Sequence, residues 1–174
     1  MSERDAVTVR AAGAEDAEAI GRIHVDAWRQ AYAGLMDDAF LRGLDPGRRA
    51  QVWRERLLSG AASTAVAERA GAVVGFVSYG PALDADPAQS SGQVYAVYVN
   101  PRVQRTGVGG ALMTHAVAAL GAQGFSEAVL WVLEDNAAAR AFYERGGWRA
   151  DGASQSEGFG GRTLREVRYR RSVA

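Results

Sequence analysis

The feature of the sequence that most directly indicates chemistry is a glycine-rich segment, residues 104–110, with the sequence QRTGVGG. It lies between a strand-like apolar run at 94–99 and a helix-like run at 111–120. Glycines at the start of a helix let the backbone come close to a ligand, and the first N–H groups of a helix have no intrahelical partner. Such an arrangement attracts anions, so the segment predicts a cradle for a phosphate or diphosphate group.

The spacing of the glycines separates three kinds of phosphate-binding loop. A P-loop needs a lysine after its last glycine, and the chain contains no lysine. A dinucleotide fingerprint needs a third glycine where this chain has Leu112, and an acidic residue about 20 positions on, where residues 124–126 read GFS. The third pattern, [QR]-x-x-G-x-[GA], is matched by Gln104, Gly107 and Gly109. A dinucleotide-binding protein is therefore the less favoured alternative.

Two longer segments carry a family resemblance. Residues 97–112, VYVNPRVQRTGVGGAL, resemble the acyl-CoA-binding motif of the GNAT superfamily of N-acetyltransferases. Residues 133–148, LEDNAAARAFYERGGW, resemble the N-x-x-A-x-x-F-Y-x-x-x-G-[FW] segment of the same superfamily, at its usual distance from the first. The resemblance covers nearly the whole chain. It implies one GNAT-like domain over residues 1–174, acetyl-CoA as co-substrate and no metal.

The resemblance also implies a set of cofactor-binding residues. In this superfamily the strand before the glycine loop diverges from its neighbour, and the pantetheine arm of CoA pairs with the freed backbone. A backbone N–H there can donate to the developing oxyanion, and the loop amides hold the pyrophosphate. The implied set is Val97, Tyr98, Val99, Gln104, Arg105, Thr106, Gly107, Val108, Gly109, Gly110, Asn136 and Tyr143.

Two members of that set have alternative roles. Asn136 can cap the helix that follows it, contact the cofactor, or do both. The resemblance makes Tyr143 the candidate catalytic residue, a general acid for the leaving thiolate, whereas a structural interpretation makes it a core aromatic.

The general base is not evident. Many relatives carry a glutamate where this chain has Gln93, and Glu134, Asp37 and Tyr79 are the other candidates.

The acceptor side is indicated by residues 24–35, HVDAWRQAYAGL, which resemble the A-W-x-x-x-Y-x-G-L segment of a subset of bacterial GNAT proteins. Trp28 and Tyr32 are four residues apart and share a helix face. The resemblance places them beside the acceptor pocket, where they would bind an apolar or cationic substrate. The equal alternative is packing between the first two predicted helices. We expect His24 to be a core residue and His115 to be exposed.

Hydrophobic periodicity predicts the elements that position these residues. The resemblance implies an α/β (α+β) fold, a mixed, mostly antiparallel sheet of about seven strands flanked by about four helices. The expected strands are 7–10, 64–68, 73–79, 93–99, 128–133, one starting at Trp148 and an edge strand at 164–170; the expected helices are 15–32, 46–60, 108–120 and 137–145; the expected loops are 81–92 and a flexible one at 154–161. Arg168, Arg170 and Arg171 are predicted to form a solvated edge.

Composition excludes several classes of function. The 20 basic residues balance the 20 acidic ones, so the net charge does not favour binding to nucleic acid or to an anionic membrane. The chain has no cysteine, and its two histidines show no metal-ligand spacing. Its polar start does not resemble a signal peptide, and no apolar run reaches roughly 18 residues. We therefore expect a cytoplasmic protein.

These observations together predict an N-acetyltransferase. Without a cysteine to carry the acyl group, the acetyl group would pass directly from acetyl-CoA to an amine in a ternary complex. The expected acceptor is a primary amine of a small molecule, with a protein N-terminus less favoured. A catalytically degenerate acyl-CoA-binding module is the alternative of another class. Similar proteins are commonly homodimers, and the sequence does not decide this point.

Overall fold

The computed structural model describes residues 6–83 and 91–174, in which helices cover both faces of one seven-stranded sheet. No helix in this part of the chain has the length and hydropathy needed to cross a membrane. The strands are β1 (Thr8–Ala11), β2 (Ser63–Arg69), β3 (Ala72–Pro81), β4 (Gly92–Val99), β5 (Glu127–Leu133), β6 (Arg149–Phe159) and β7 (Arg162–Ser172). The helices are α1 (Ala17–Ala31), α2 (Asp38–Gly43), α3 (Pro46–Ser59), α4 (Val108–Ala122) and α5 (Ala137–Arg145).

The order of strands in the sheet is β1-β2-β3-β4-β5-β7-β6. Only β4 and β5 are parallel, so the predicted mixed, mostly antiparallel sheet is confirmed. The predicted hairpin turn between β2 and β3 is confirmed as well, because Ala70 and Gly71 have φ values of 51° and 77°. Two successive left-handed residues are typical of the tight turns that match strand twist.

The C-terminal strands differ from the prediction. The expected flexible loop at 154–161 is mostly strand, because β6 continues to Phe159 and only Gly160 and Gly161 form the turn. The strand expected at the edge, β7, lies inside the sheet between β5 and β6. The polar, glycine-containing sequence of β6 carries no apolar alternation, and its ladder with β7 stabilises it instead. Of the predicted loop 81–92, the ends belong to β3 and β4, and residues 84–90 lie outside the described part.

The interior position of β7 also changes the environment of its arginines. The Nε atoms of Arg168 and Arg170 lie 2.7 and 3.3 Å from the same Asp151 oxygen, and both side chains are less than a quarter exposed. Arg171 donates to the carbonyl of Gly146 at 2.7 Å. The predicted solvated edge was therefore wrong. A further addition is the short helix α2, which lies in a stretch whose sequence was ambiguous and brings the helices in the described residues to five.

Helix α4 packs on one face of the sheet, and α1 and α3 pack on the other. Leu112 of α4 is fully buried, and a Cβ atom at Gly75 of β3 would lie 3.0 Å from the Cδ1 atom of Leu112. In a dinucleotide-binding fold, a glycine on the helix allows the helix and the strand to pack closely. Here a glycine on the strand, Gly75, allows the same close packing. This packing explains why Leu112 fits after the glycine segment.

His24 is a core residue, as predicted. It is 6% exposed, and its Nδ1 atom accepts a hydrogen bond from the Trp53 indole at 3.0 Å. Burial, with the added repulsion of Arg49 and Arg56, lowers the pKa of His24 to about 3. The expectation for His115 was wrong, because it is half-buried, with Nε2 3.3 Å from the Tyr79 hydroxyl.

The depressed pKa of His24 predicts a pH dependence of stability. Below its ordinary pKa of about 6.5 the unfolded chain binds a proton that the folded chain does not, so stability falls as the pH falls. We expect a loss of about 2 kcal/mol between pH 7 and pH 5, measured by urea unfolding. His24→Gln keeps an acceptor for the Trp53 indole and cannot titrate, so its stability should change much less. Equal slopes for both proteins would contradict the prediction.

Candidate active site

The site is built around an opening in the sheet between β4 and β5. The two strands pair only at Gly92 with Ala128 and at Gln93 with Val129. Beyond these positions β4 stays paired with β3, and β5 stays paired with β7, but no further β4–β5 pairs occur in the described residues. The facing backbone edges are therefore free to pair with an extended ligand.

A β-bulge in β4 accounts for the divergence. Ser78 of β3 is opposite Ala96, whereas the next residue, Tyr79, is opposite Val94, so Tyr95 is the extra residue. A bulge bends its strand and increases the local twist. The bend begins just after the last β4–β5 pair, which carries the rest of β4 away from β5.

The glycine segment closes one end of this opening. Arg105 and Gly107 have φ values of 58° and 88°, and Gly107 is the N-cap of α4. The loop is held by the Thr106 hydroxyl, which donates to the carbonyl of Val103 at 2.6 Å, and by Arg69, which donates to the Thr106 carbonyl at 3.2 Å. The amides of the first helical turn have no intrahelical acceptor, so they form an anion cradle at the end of β4.

Helix α5 lies against the start of α4. A Cβ atom at Gly109 would be 3.2 Å from Cζ of Phe142, so only glycine allows this approach without displacement. A cavity of about 330 Å³ lies between the two helices, lined in part by Gly110, Met113, Tyr143 and Trp148. The free strand edge, the cradle and this cavity fit the extended arm and diphosphate of coenzyme A.

The two residues of the second motif are placed differently. Asn136 is the N-cap of α5, and its Oδ1 atom accepts from the Ala139 amide at 3.1 Å. The capping role is therefore confirmed, and the cofactor contact stays a prediction. Tyr143 packs beside Phe142 and Trp148, with ring centroids 5.4 and 6.5 Å away. Its hydroxyl has no hydrogen-bond partner in the described residues, and burial, with a smaller effect of Tyr98, raises its pKa.

The aromatic pair of α1 lies on the opposite face of the sheet. Trp28 and Tyr32 meet edge to face at 5.1 Å, and the Tyr32 hydroxyl is 3.4 Å from the Tyr98 hydroxyl. Both rings pack against a cluster of Met36, Leu41 and Leu133. Trp28 also lies 5.1 Å from the His24 ring, which is bonded to Trp53 of α3, so a packing role and a role beside the acceptor both stay predictions.

At the opening, groups from both faces of the sheet affect the pKa of a single tyrosine. Burial raises the pKa of Tyr32 well above its ordinary value, and Tyr98, Tyr143 and Glu166 raise it further. These three groups come from β4, α5 and β7, yet their charges act on one hydroxyl at the C-terminal end of α1. Glu166 was missed in the sequence because β7 was taken for an edge strand. The available signal was the alternation of Leu164, Glu166 and Arg168 on one side of that strand.

The candidate bases named from the sequence are engaged elsewhere. Asp37 pairs with Arg162 at 2.6 Å, and Glu134 lies 3.6 Å from Arg165. Tyr79 packs against α4 beside His115, on the face opposite Tyr98. The side-chain oxygen of Gln93, at the position where many relatives have a glutamate, accepts from the Leu83 amide at 3.0 Å.

A sheet that opens onto a glycine cradle, with a protonated tyrosine beside the opening, defines an acyl-CoA-dependent acyltransferase. The sequence model described as "Acetyltransferase (GNAT) family" matches residues 18–148. The chain therefore belongs to the GNAT family, and it is an acetyl-CoA-dependent N-acetyltransferase. Among the described residues no group of three or more histidines, aspartates or glutamates could hold a metal ion.

A relative of known sequence agrees with this assignment, and solved structures share the fold. The chain is 35% identical over 130 residues to an uncharacterized N-acetyltransferase, YuaI, of Bacillus subtilis, covering 75% of this chain and 73% of that protein. The PaiA N-acetyltransferase of Thermoplasma acidophilum, solved with coenzyme A, has a TM-score of 0.78 at 14% identity, with 96% and 99% of the two chains covered. YncA of Salmonella typhimurium, a putative acetyltransferase solved with acetyl-CoA, has a TM-score of 0.71 at 25% identity, with 98% and 95% covered.

The anion cradle predicts a specific effect of Gly107→Ala. An alanine at φ 88° costs about 1–2 kcal/mol of strain, and relief of that strain turns the first-turn amides away from the diphosphate. We expect CoA binding, measured by calorimetry, to weaken at least tenfold.

Gly124→Ala is the matched control for this substitution. Gly124 follows α4 at its other end, has φ 94° and, like Gly107, has open space where a Cβ atom would lie. Both variants should therefore lose similar stability, but only Gly107→Ala should lose affinity for CoA. Equal CoA affinity in the two variants would show that the cradle is not at Gly107.

Proposed function

We propose that this enzyme transfers the acetyl group of acetyl-CoA directly to the primary amine of a small molecule in a ternary complex. The observation that carries the proposal is the opening between β4 and β5, where Tyr143 lies on one face of the sheet and Tyr98 and Tyr32 lie on the other, near enough for their hydroxyls to interact electrostatically. Donor and acceptor can then approach from opposite faces. The absence of cysteine from the chain supports transfer without a thioester on the enzyme.

The donor half of the proposal rests on backbone groups. The free edge of β4, at Val97, Tyr98 and Val99, pairs with the pantetheine arm, and a backbone N–H there donates to the thioester oxygen. A donor in place before the reaction stabilises the developing oxyanion by about 3 kcal/mol. The diphosphate lies on the loop amides of Gln104, Arg105 and Thr106 and on the first turn of α4, formed by Gly107, Val108, Gly109 and Gly110. The Asn136 carboxamide also contacts CoA through its NH₂ group, since its oxygen caps α5.

Tyr143 transfers a proton during collapse of the tetrahedral intermediate. As the carbon–nitrogen bond forms and the carbon–sulfur bond breaks, the sulfur gains a proton and the nitrogen must lose one. The Tyr143 hydroxyl donates its proton to the sulfur and recovers one from the nitrogen. Because burial raises its pKa, a free tyrosinate is unfavourable, so Tyr143 passes a proton on and ends in its starting form.

Contacts between α2 and the β6–β7 turn cover the acceptor face of the sheet, and this cover supports a small substrate. Asp37, just before α2, pairs with Arg162 at the start of β7. A Cβ atom at Gly160 would lie 2.6 Å from the ring of Phe40, so the β6–β7 turn packs directly on α2. Trp28 and Tyr32 lie in the cluster below this contact and would bind the body of the acceptor. A polypeptide would have to displace the turn.

The proposal is tested by a screen of amines with acetyl-CoA, in which released CoA thiol is measured. The panel covers arylalkylamines, alkylamines, polyamines, aminoglycosides, amino acids and peptides with a free N-terminus. We expect turnover with small primary amines and little with peptides. Turnover with peptides alone would overturn the small-molecule assignment, and tight CoA binding without any turnover would favour a degenerate binding module.

Tyr143→Phe tests the proton step. We expect kcat to fall roughly 100-fold, because sulfur must then leave without a positioned proton donor, while the dissociation constant of acetyl-CoA stays nearly unchanged. Tyr79→Phe removes another buried hydroxyl on the α4 face of the sheet, the one beside His115, and serves as the control. Unchanged kcat for Tyr143→Phe across the pH range would remove Tyr143 from the mechanism.

A further inference from the structure

Glu166 differs from the other carboxylates of the C-terminal strands. Its side chain is half-buried, and Gln155 donates to its Oε2 atom at 2.8 Å. No arginine or histidine forms an ion pair with it in the described residues, whereas Asp151 and Glu127 both pair with arginines. A carboxylate removed from water without a cation is costly to the fold. Such a group is a candidate for a functional role.

The position of Glu166 places it at the acceptor side of the opening. Its cross-strand partner on β5 is Leu133, which packs in the cluster that contains Trp28 and Tyr32. Its charge acts on the hydroxyls of both Tyr32 and Tyr98, which are themselves 3.4 Å apart. The carboxylate therefore lies on the same face of the sheet as this hydroxyl pair, near enough for its charge to raise the pKa of both.

We propose that Glu166 binds the ammonium group of the acceptor and takes its proton, and that the acceptor is a primary amine with a single positive charge on an apolar body. This inference rests on the proposed function and deepens it. In the step, one N–H bond of the ammonium breaks and an O–H bond forms on Glu166. The nitrogen lone pair is then free to attack the thioester carbon, and Glu166 returns the proton to solvent after the product leaves.

The surroundings of Glu166 suit it to this exchange. Burial and the neighbouring Glu157 raise its pKa, while the hydrogen bond from Gln155 opposes them. The raised pKa of Glu166 is closer to the pKa of an alkylammonium group, which is ordinarily about 10.4, so proton transfer from the ammonium to Glu166 is less unfavourable. Tyr32 and Tyr98 face it as neutral hydroxyls, because burial raises the pKa of each. On its own strand Arg168 is held by Asp151 and lies over the Trp131 ring at 5.7 Å.

The same surroundings define the class of acceptor. The walls beside Glu166 are apolar, formed by residues that include Leu133, Leu164 and Phe159. A polyamine or an aminoglycoside would bring further positive charges, whereas the neighbouring Glu157 is exposed to water, and Asp37 and Glu134 are paired with Arg162 and Arg165.

Steady-state kinetics test the role of the carboxylate. The probes are 2-phenylethylamine, tyramine and hexylamine, compared with spermidine and kanamycin, from pH 5.5 to 9.5. We expect Glu166→Gln to lower kcat/KM for the first three at least 100-fold and to abolish the acidic limb of the pH profile. Glu166→Asp should keep the limb with partial activity. Glu134→Gln, on an exposed acid paired with Arg165, is the control and should behave as the wild type.

Binding separates this inference from the proposed function. With CoA present at pH 7.5, calorimetry should show at least tenfold weaker 2-phenylethylamine binding to Glu166→Gln, and equal binding of the uncharged 2-phenylethanol to both proteins. Equal amine binding and equal turnover, preference for spermidine or kanamycin, or no wild-type binding of any probe amine would each overturn the inference. Absence of turnover with every amine class would instead overturn the proposed function, and the binding comparison would still decide the role of Glu166.

Discussion

The parting of β4 from β5 is the constraint on which the rest of the structure depends. An unpaired backbone edge inside a sheet is costly, because each buried N–H and C=O group needs a partner. This edge is stable because each of the two strands is paired with another strand on its other side. β3 holds β4 as far as Val99, and β7 holds β5 along its whole length. The opening is therefore a stable gap that an extended ligand can fill with the missing hydrogen bonds.

The gap also explains how two substrates can meet in a domain whose helices cover both faces of its sheet. In the proposed function the glycine loop, α4 and α5 form the donor side, and α1, α2 and the β6–β7 hairpin form the acceptor side. Elsewhere the intact sheet separates them. At the gap, Tyr98 raises the pKa of Tyr143 across the sheet, and Glu166 raises the pKa of both Tyr32 and Tyr98. The proposed direct transfer is consistent with this geometry, since neither substrate would have to change face.

Predictions from sequence succeeded where local signals control the structure. Helix α5 was predicted with its observed bounds because an asparagine cap precedes it and glycines follow it. The β2–β3 hairpin was likewise marked by its turn residues. The prediction failed for β6, whose residues carry little strand signal and depend on pairing with β7. The same error hid Glu166, because a residue on a supposed solvated edge does not stand out as a buried acid.

By itself the sequence determined the donor. The spacing of Gln104, Gly107 and Gly109 acts through local backbone geometry at one helix start, so a linear pattern is enough to recognise it. Only the tertiary structure decided which groups surround the proposed acceptor site. Tyr32, Tyr98, Tyr143 and Glu166 come from elements far apart in the chain, and no spacing between them is meaningful until the sheet order is known. Long-range pairing brings them to one gap, and their burial there determines their protonation.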